Sequence, residues 1–492
     1  MLWAYGCHTV TTFRFPFPVS RFPFPVSRFP FPASMPASIN PATGETVAVH
    51  AFLDDARLDA ALNRAAAAAD RNRASPLAAR VAAIHAFADR LDADRERLAR
   101  LATAEMGKTL VQARAEVAKC ASAARTLAEM APDAFADSPR RTAATRSFVA
   151  YEPLGPVLAV MPWNFPFWQA TRAAVPILLA GGSVLLKHAP NVLGCADALA
   201  NAFQSACREA GLGDGLVEHI PVETERVGAI IADARVAAVT LTGSEAAGRA
   251  VAGQAGAALK PAVLELGGSD PFVVLADADV ERAARVGVAA RTQNNGQSCI
   301  AAKRFIVEAA VAAAFTEAFV AQMAALRVGD PLDEATDIGP LARADLRETV
   351  ADQTRRAVAE GARVATGGAA QGGPGFFFPP TVLVDVAEGS VAYREEVFGP
   401  VAAVTVARDA GDAVRLANAT RFGLGASVWT ADAARGEAVA RQLRAGIVAV
   451  NALVASDAGL PFGGVGASGM GRELGVEGLR QFTNAKAVWV EP

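Results

Sequence analysis

Two side chains in this 492-residue sequence stand where their surroundings do not explain them. Cys299 lies in Asn294-Asn295-Gly296-Gln297-Ser298-Cys299-Ile300, a polar, glycine-containing stretch. A lone cysteine is by default a small buried hydrophobe, and Cys195 and Cys207, set among apolar residues of an expected helix, fit that default. Cys299 does not fit it, and a thiol in such a loop is a candidate nucleophile. The second anomaly is Glu265 in Val263-Leu264-Glu265-Leu266-Gly267-Gly268, a carboxylate inside an apolar strand. It is either an outward-facing strand residue or a group whose pKa is raised by burial.

The elements around these residues follow from hydrophobic patterning. After residue 137, apolar runs at 157–161, 183–187, 217–220 and 236–241 alternate with helix-length segments at 166–180, 193–210, a short stretch, and from about 245. Strands alternating with helices imply a parallel sheet with right-handed crossovers, whose ligands bind beyond the carboxyl ends of the strands. Three of the four strand ends carry suitable polar residues: Pro162-Trp163-Asn164, Lys187-His188 and Thr242-Gly243-Ser244. A second α/β region runs from about 264 to 451, and a strand at 487–490 ends the chain. Upstream, residues 55 to about 130 are rich in Ala, Arg and Leu at helical spacing. There Ser75-Pro76 reads as an N-cap followed by proline at the first helical position, and Leu77, Val81, Ile84, Phe87 and Leu91 form the buried face. The string Gly464-Val465-Gly466-Ala467-Ser468-Gly469 spells a dinucleotide fingerprint. Too little chain follows it for a βαβ unit, so it reads as a tight turn with close backbone approach.

Composition narrows the function classes. With 52% hydrophobic and 20% charged residues the chain is neither disordered nor a disulfide scaffold, and its length suggests two or three folding units. A net charge of −3 gives no electrostatic reason to bind nucleic acid or an anionic membrane. The longest apolar stretch, 173–186, is interrupted by Pro176, Gly181 and Gly182, so no membrane helix is expected. Five scattered cysteines, none in a C-x-x-C pair, suggest a reducing, cytoplasmic setting. No metal site is expected. Residues 14–34 repeat RFPFPVS, RFPFPVS, RFPFPAS; proline at this density disfavours helix. The 1–34 segment is expected to lie outside the fold, with the native start at Met35.

Six strings then occur in order: Pro162-Trp163-Asn164-Phe165-Pro166, Leu241-Thr242-Gly243-Ser244, Glu265-Leu266-Gly267-Gly268, Gly296-Gln297-Ser298-Cys299, Glu396-Val397-Phe398-Gly399-Pro400, and Pro461-Phe462-Gly463-Gly464 with Ser468-Gly469. On these the sequence resembles the aldehyde dehydrogenase superfamily from Ile39 to Val490. The resemblance implies an α/β fold: a Rossmann-type cofactor domain (35–137 and 153–262), an α/β catalytic domain (263–450), a loop returning to the cofactor domain (451–479) and a small β oligomerisation element (138–152 and 480–492). It implies Cys299 as nucleophile, Asn164 and the Cys299 backbone N–H as oxyanion donors, and Glu265 as the base that activates water. For the cofactor it implies Trp163, Lys187, Gly243, Ser244, Leu266, Glu396 and Phe398. Many NAD-specific relatives carry an acidic residue three places after the lysine; here that place is Pro190, which leans towards NADP, with NAD possible.

Asn164, Trp168 and Arg172 are spaced four apart and are expected on one face of the 166–180 helix, a stripe of about 12 Å. The strings around Trp168-Gln169-Ala170-Thr171-Arg172, Leu186-Lys187-His188-Ala189-Pro190-Asn191 and Ser456-Asp457 look like the short bacterial type of succinate-semialdehyde dehydrogenase. That likeness implies Arg172 and Ser456 as holders of a substrate carboxylate and Trp168 as tunnel wall. The usual basic residue after Pro-Phe-Gly-Gly-x is Gly466 here. The expected activity is oxidation of succinic semialdehyde to succinate with NADP or NAD, in a homodimer or homotetramer. The alternatives are a broader aldehyde dehydrogenase acting on glutaric semialdehyde or aliphatic aldehydes, a coenzyme-A-acylating relative, against which Glu265 speaks, and an inactive structural homologue.

Overall fold

The computed structural model describes residues 35–370 and 372–491; the repeat segment, Cys7 and the expectation of a start at Met35 concern chain outside these residues. The Ala- and Arg-rich region folds into four helices, Asp55–Ala74, Leu77–Ala93, Arg95–Met106 and Leu110–Phe135. Ser75 differs from its expected role. Its hydroxyl donates back to the Asn72 carbonyl at 2.7 Å, so it closes the first helix, and Pro76 occupies the N-cap of the second. Ile84, Phe87 and Leu91 are buried, with Phe87 stacked on Phe203 at 3.6 Å between ring centroids, while Leu77 and Val81 are partly covered.

A six-stranded sheet sits against these helices. Its order is Gly469–Met470, Ala262–Glu265, Ala238–Thr242, Pro156–Met161, Ser183–His188, Val217–His219, parallel except for the first pair. The chain runs outward from Pro156–Met161 to Val217–His219, then returns to the other side of its starting strand. That reversal opens a crevice between the carboxyl ends of Pro156–Met161 and Ala238–Thr242, where a doubly wound sheet binds ligands. Strand Ala262–Glu265 belongs to this sheet, so a domain boundary after residue 262 would cut through it; the sheet continues to Glu265. The return strand Gly469–Met470 pairs antiparallel with it. Gly469 has φ +119°, and a Cβ there would stand 1.9 Å from the Leu264 carbonyl oxygen. The glycine-rich string is therefore a turn pressed against a strand, not a phosphate loop.

The second sheet has seven strands in the order Arg363–Thr366, Thr381–Val384, Val401–Ala407, Ala302–Glu308, Asp270–Val274, Gly425–Trp429, Ile447–Val450, with only the first antiparallel to its neighbour. Its inner strands Thr381–Val384, Ala302–Glu308, Asp270–Val274 and Gly425–Trp429 are buried throughout, as a parallel sheet covered on both faces requires. A three-stranded antiparallel sheet joins Ser138–Pro139, Arg146–Pro153 and Thr483–Val490, the last two pairing over eight residues each. No helix among the described residues is long and apolar enough to cross a membrane.

Candidate active site

Cys299 follows a 3₁₀ turn, Gln293–Gly296, and precedes strand Ala302–Glu308. Asn294 and Asn295 both take left-handed backbone conformations, at φ 55° and 56°. Such conformations cost non-glycine residues of order 1 kcal/mol each, and asparagine tolerates them best. Side-chain hydrogen bonds hold them in place. Asn294 Nδ2 donates to the Asn164 carbonyl at 2.7 Å, and Asn295 Nδ2 to the carbonyls of Gly107 and Pro340 at 2.9 and 3.0 Å. Behind the loop, the buried Lys303 donates to the carbonyls of Ser298, Cys299 and Ala301 at 3.0, 2.7 and 3.1 Å. The Cys299 loop is thus pinned from both sides. Burial pushes the Cys299 thiol up to about 12, against the opposing pull of the Arg172 and Lys303 charges. Cys120, Cys195 and Cys207 are buried within helices, whereas Cys299 is partly exposed.

Two cavities meet at Cys299. One, of about 390 Å³, is the crevice predicted by the strand reversal. Cys299 and Asn164 share its wall with Trp163, Gly243, Ser244, Leu266, Glu396 and Phe398, six of the seven expected cofactor residues. The seventh, Lys187, ends strand Ser183–His188 and is 7% exposed, but does not line this cavity; burial lowers its pKa and Glu225 partly offsets that.

This donor set fits a nicotinamide dinucleotide. Ser244 caps helix Glu245–Ala257, presenting a helix N-terminus to an anion across Gly243, which carries no side chain. Trp163 and Phe398 meet edge to face at 5.8 Å between centroids, an apolar wall for a flat ring. Glu396 accepts from the Gly268 N–H at 3.0 Å and lies so close to Gly267 that a Cβ there would sit 2.2 Å from its Oε2.

The second cavity, of about 660 Å³, has Trp168, Arg172, Ser456, Phe462 and Lys119 in its walls together with Cys299. Asn164 lines the first cavity beside Cys299. Its Nδ2 donates to the Gln297 carbonyl at 2.9 Å and its Oδ1 accepts from Gln169 Nε2 at 3.1 Å, leaving one of two amide N–H groups uncommitted. Asn164 is not on the helix, however. The helix starts at Trp168, two residues later than expected, because the buried Glu116 carboxylate accepts from the Phe167 and Trp168 N–H groups at 2.8 and 2.9 Å. Only Trp168 and Arg172 share a helical face; Asn164 reaches the site from the preceding turn.

Glu265 closes its strand and is 2% exposed, with neither carboxylate oxygen hydrogen-bonded. Desolvation first, then the nearby Glu473 carboxylate, raises its pKa well above the usual carboxylate range; Arg172 and Arg472 oppose the shift. It lines neither cavity, resting instead against Gly463, whose added Cβ would stand 2.7 Å from Oε1. Arg172 is also buried, and its guanidinium is ion-paired with Glu473. It stacks over Phe462 at 4.5 Å and lies 3.5 Å from Thr242 Oγ1. Ser456 Oγ, at the same cavity, accepts from Lys119 Nζ at 2.6 Å.

A thiol, an amide donor and a desolvated carboxyl thus stand near one another at a crevice fitted to a dinucleotide. The aldehyde dehydrogenase family pattern matches residues 33–488. The chain belongs to the aldehyde dehydrogenase family. It is 48% identical, over 92% of its length and 97% of the relative's, to the succinate semialdehyde dehydrogenase (NAD(P)+) Sad of Escherichia coli K12. It is 49% identical to the succinate-semialdehyde dehydrogenase (NADP(+)) of Mycolicibacterium paratuberculosis, covering 92% of this chain and 96% of that one. Among solved structures, succinic semialdehyde dehydrogenase from Streptococcus pyogenes in complex with NADP+ superposes with a TM-score of 0.89 at 33% identity, over 93% of this chain and all of that one.

Four contributors to this aldehyde dehydrogenase site were missed in the sequence: Glu473, Lys119, Gln169 and Lys303. Rarity was an available signal. The chain has six lysines, and Lys108, Lys187 and Lys303 are fully buried while Lys119 is half-buried. The departure at Gly466 also has a local reason: its φ is +63°, and a Cβ would stand 2.7 Å from the Arg421 carbonyl oxygen, so a side chain there would be strained and crowded.

Proposed function

We propose that the protein oxidises succinic semialdehyde to succinate with NADP+ or NAD+. The observation that carries this reading is the position of Cys299 in the walls of two cavities at once, one fitted to a dinucleotide and the other carrying Arg172, Ser456 and Trp168. The names borne by the relatives support the substrate, and NADP+ in the S. pyogenes structure supports the cofactor. Position 190, three places after Lys187, is a proline and supplies no carboxylate of its own to repel a 2′-phosphate, which favours NADP+.

Cys299 releases its proton to solvent and adds through sulfur to the aldehyde carbon, and the carbonyl π-pair moves to oxygen. The oxyanion takes hydrogen bonds from the free N–H of Asn164 and the Cys299 backbone N–H. A nicotinamide held there would supply the hydride acceptor, and Cys299 would be left carrying the acyl group as a thioester. Glu265 then swings from its resting place against Gly463 and takes a proton from water; the hydroxide displaces sulfur to give the acid, and the proton held on Glu265 passes to the departing thiolate. Trp163, Gly243, Ser244, Leu266, Glu396, Phe398 and Lys187 would hold the dinucleotide, and the cavity with Trp168, Arg172 and Ser456 would receive the carboxylate-bearing chain. We propose further that the three-stranded sheet mediates a homo-oligomer, since Trp489 and Val490 on its end strand are 71% and 41% exposed, and that the enzyme works in the cytoplasm.

The test is the rate of NADPH and NADH formation with succinic semialdehyde beside uncharged aldehydes such as hexanal. A clear preference in kcat/KM for succinic semialdehyde is expected. Equal rates would make the enzyme a broad-range aldehyde dehydrogenase.

A further inference from the structure

The carboxylate of Glu396, on the dinucleotide side, and the backbone around Cys299 meet on one ammonium. Lys303, in strand Ala302–Glu308, has a side chain only 1% exposed. Its three N–H groups are all taken by backbone carbonyls, those of Ser298 at 3.0 Å, Cys299 at 2.7 Å and Ala301 at 3.1 Å. Glu396 Oε1 stands 3.5 Å from the same nitrogen and accepts from the Gly268 N–H as well. Gly268 in turn presses on the loop, since a Cβ there would stand 2.7 Å from the Cys299 carbonyl oxygen. Other charges complete the cluster. Asp270 is pushed up to about 6 by burial, with the Lys303 charge opposing. The guanidinium of Arg291 is held by the carbonyls of Gly296, Ala302 and Gly399, and that of Arg304 by those of Ser269, Leu416 and Ala417. Among the described residues only Lys303 both donates to the Cys299 carbonyl and pairs with Glu396.

We propose that Lys303 is a positioning residue that clamps the two peptide units flanking Cys299, aiming both its thiol and its N–H, with Glu396 as the counter-charge that ties this clamp to the dinucleotide side. This rests on the proposed role of Cys299 as nucleophile and names the group that orients it. The argument is one of peptide geometry. A trans peptide is planar, so its carbonyl and the following N–H point in opposite directions. Holding the Ser298 carbonyl on Lys303 therefore points the Cys299 N–H away from the lysine, and holding the Cys299 carbonyl fixes the next plane. With both planes fixed, the backbone dihedrals at Cys299 are fixed, and so is the direction of its side chain. The ammonium also acts through its charge. Together with Arg172 it opposes the burial that raises the thiol, while Glu396 and Asp270 act in the other direction. A buried ammonium is costly unless its charge is met, and Glu396 meets it.

The experiment measures turnover of succinic semialdehyde with NADP+, and the rate at which iodoacetamide alkylates the Cys299 peptide. It compares the wild type with Lys303→Met, Lys303→Gln, Glu396→Gln and the two double variants. Lys303→Met should lower kcat by about 10–100-fold and leave KM for the aldehyde within about threefold, since a misaimed oxyanion donor is felt in the transition state. Its alkylation rate at about pH 8 should fall about tenfold, because loss of a nearby positive charge raises the thiol by about one unit. A loop that had merely loosened would expose the thiol and be alkylated faster. Lys303→Gln, whose amide still donates to carbonyls, should recover part of kcat while its alkylation stays slow. Combined with Glu396→Gln, either lysine variant should lose less kcat/KM for NADP+ than the product of the single losses, by about fivefold or more. Should Lys303→Met fail to fold, Lys303→Gln carries the alkylation and coupling measurements. An unchanged kcat, faster alkylation, or losses that simply multiply in the double variants would each overturn the assignment. Turnover that survives Cys299→Ala would overturn the reading of Cys299 itself, whereas dependence on Cys299 without dependence on Lys303 overturns this inference alone.

Discussion

The two cavities that share Cys299 are built in different ways. The dinucleotide side is made of short contiguous strings at strand ends: Trp163 and Asn164 after one strand, Gly243 and Ser244 after its neighbour, Leu266 after the next. Backbone groups, a helix N-terminus and two aromatic rings form much of the wall there. The substrate side is made of side-chain pairs from distant segments, Lys119 with Ser456 across 337 residues and Arg172 with Glu473 across a similar span. A dinucleotide is a constant ligand and is met by backbone geometry that strand order fixes. An aldehyde's far end varies, and it is met by charges that any one segment supplies only in part.

The comparison can be broken at its hinge. Replacing Cys299 with Ala should lower turnover with either cofactor by about 10⁴-fold or more, since loss of a nucleophile removes the covalent route whatever each cavity still binds. Asn164→Ala should lower kcat by about 10²–10³-fold with little change in KM, because it removes a donor aimed at the oxyanion and no part of either binding wall is charged by it. On the cofactor side alone, Pro190→Glu should cut kcat/KM for NADP+ relative to NAD+ by about tenfold, a like-charge penalty confined to the 2′-phosphate. Unchanged discrimination would place 2′-phosphate recognition elsewhere.

The smallest expected effect sharpens the substrate side. Glu265 must be ionised to take a proton from water, so a raised pKa places the acid limb of the kcat profile above the usual carboxylate range, with activity rising as pH rises through it. The Glu473 charge contributes to that elevation. Glu473→Gln removes it and frees Arg172, and both changes favour the ionised form of Glu265. The acid limb of kcat should therefore move to lower pH by about one unit, measured where thioester hydrolysis limits turnover. A shift to higher pH would show that Glu473 does not act on Glu265 electrostatically.

Much of this was legible in the sequence because it is local. Strand and helix alternation, the polar residues at the strand ends after Met161 and Thr242, and the polar setting of Cys299 follow from short windows, as does the reading of Gly469 as a close-packed turn. What escaped depends on contacts between remote segments. The helix carrying Trp168 starts late because Glu116, from a helix fifty residues upstream, takes its first N–H groups. Ser75 turned its hydroxyl back to Asn72, an outcome that the Ser-Pro dipeptide does not decide. The strand holding Glu265 extends past the boundary drawn after 262 because Gly469–Met470 returns from the far end of the chain to pair with it. Arg172 looked like a free clamp because nothing nearby in sequence reveals that Glu473 reaches it.

The central claim is that one thiol carries the acyl group from the oxidation step to the hydrolysis step. Glu265→Gln, mixed with NADP+ and succinic semialdehyde, tests it directly. The account predicts one equivalent of NADPH per active site in a fast first phase, kcat reduced by about 10²–10⁴-fold, and a succinyl group found by mass spectrometry on the peptide containing Cys299. Stoichiometric NADPH with no acyl group on that peptide, or an acyl group on another residue, would contradict it.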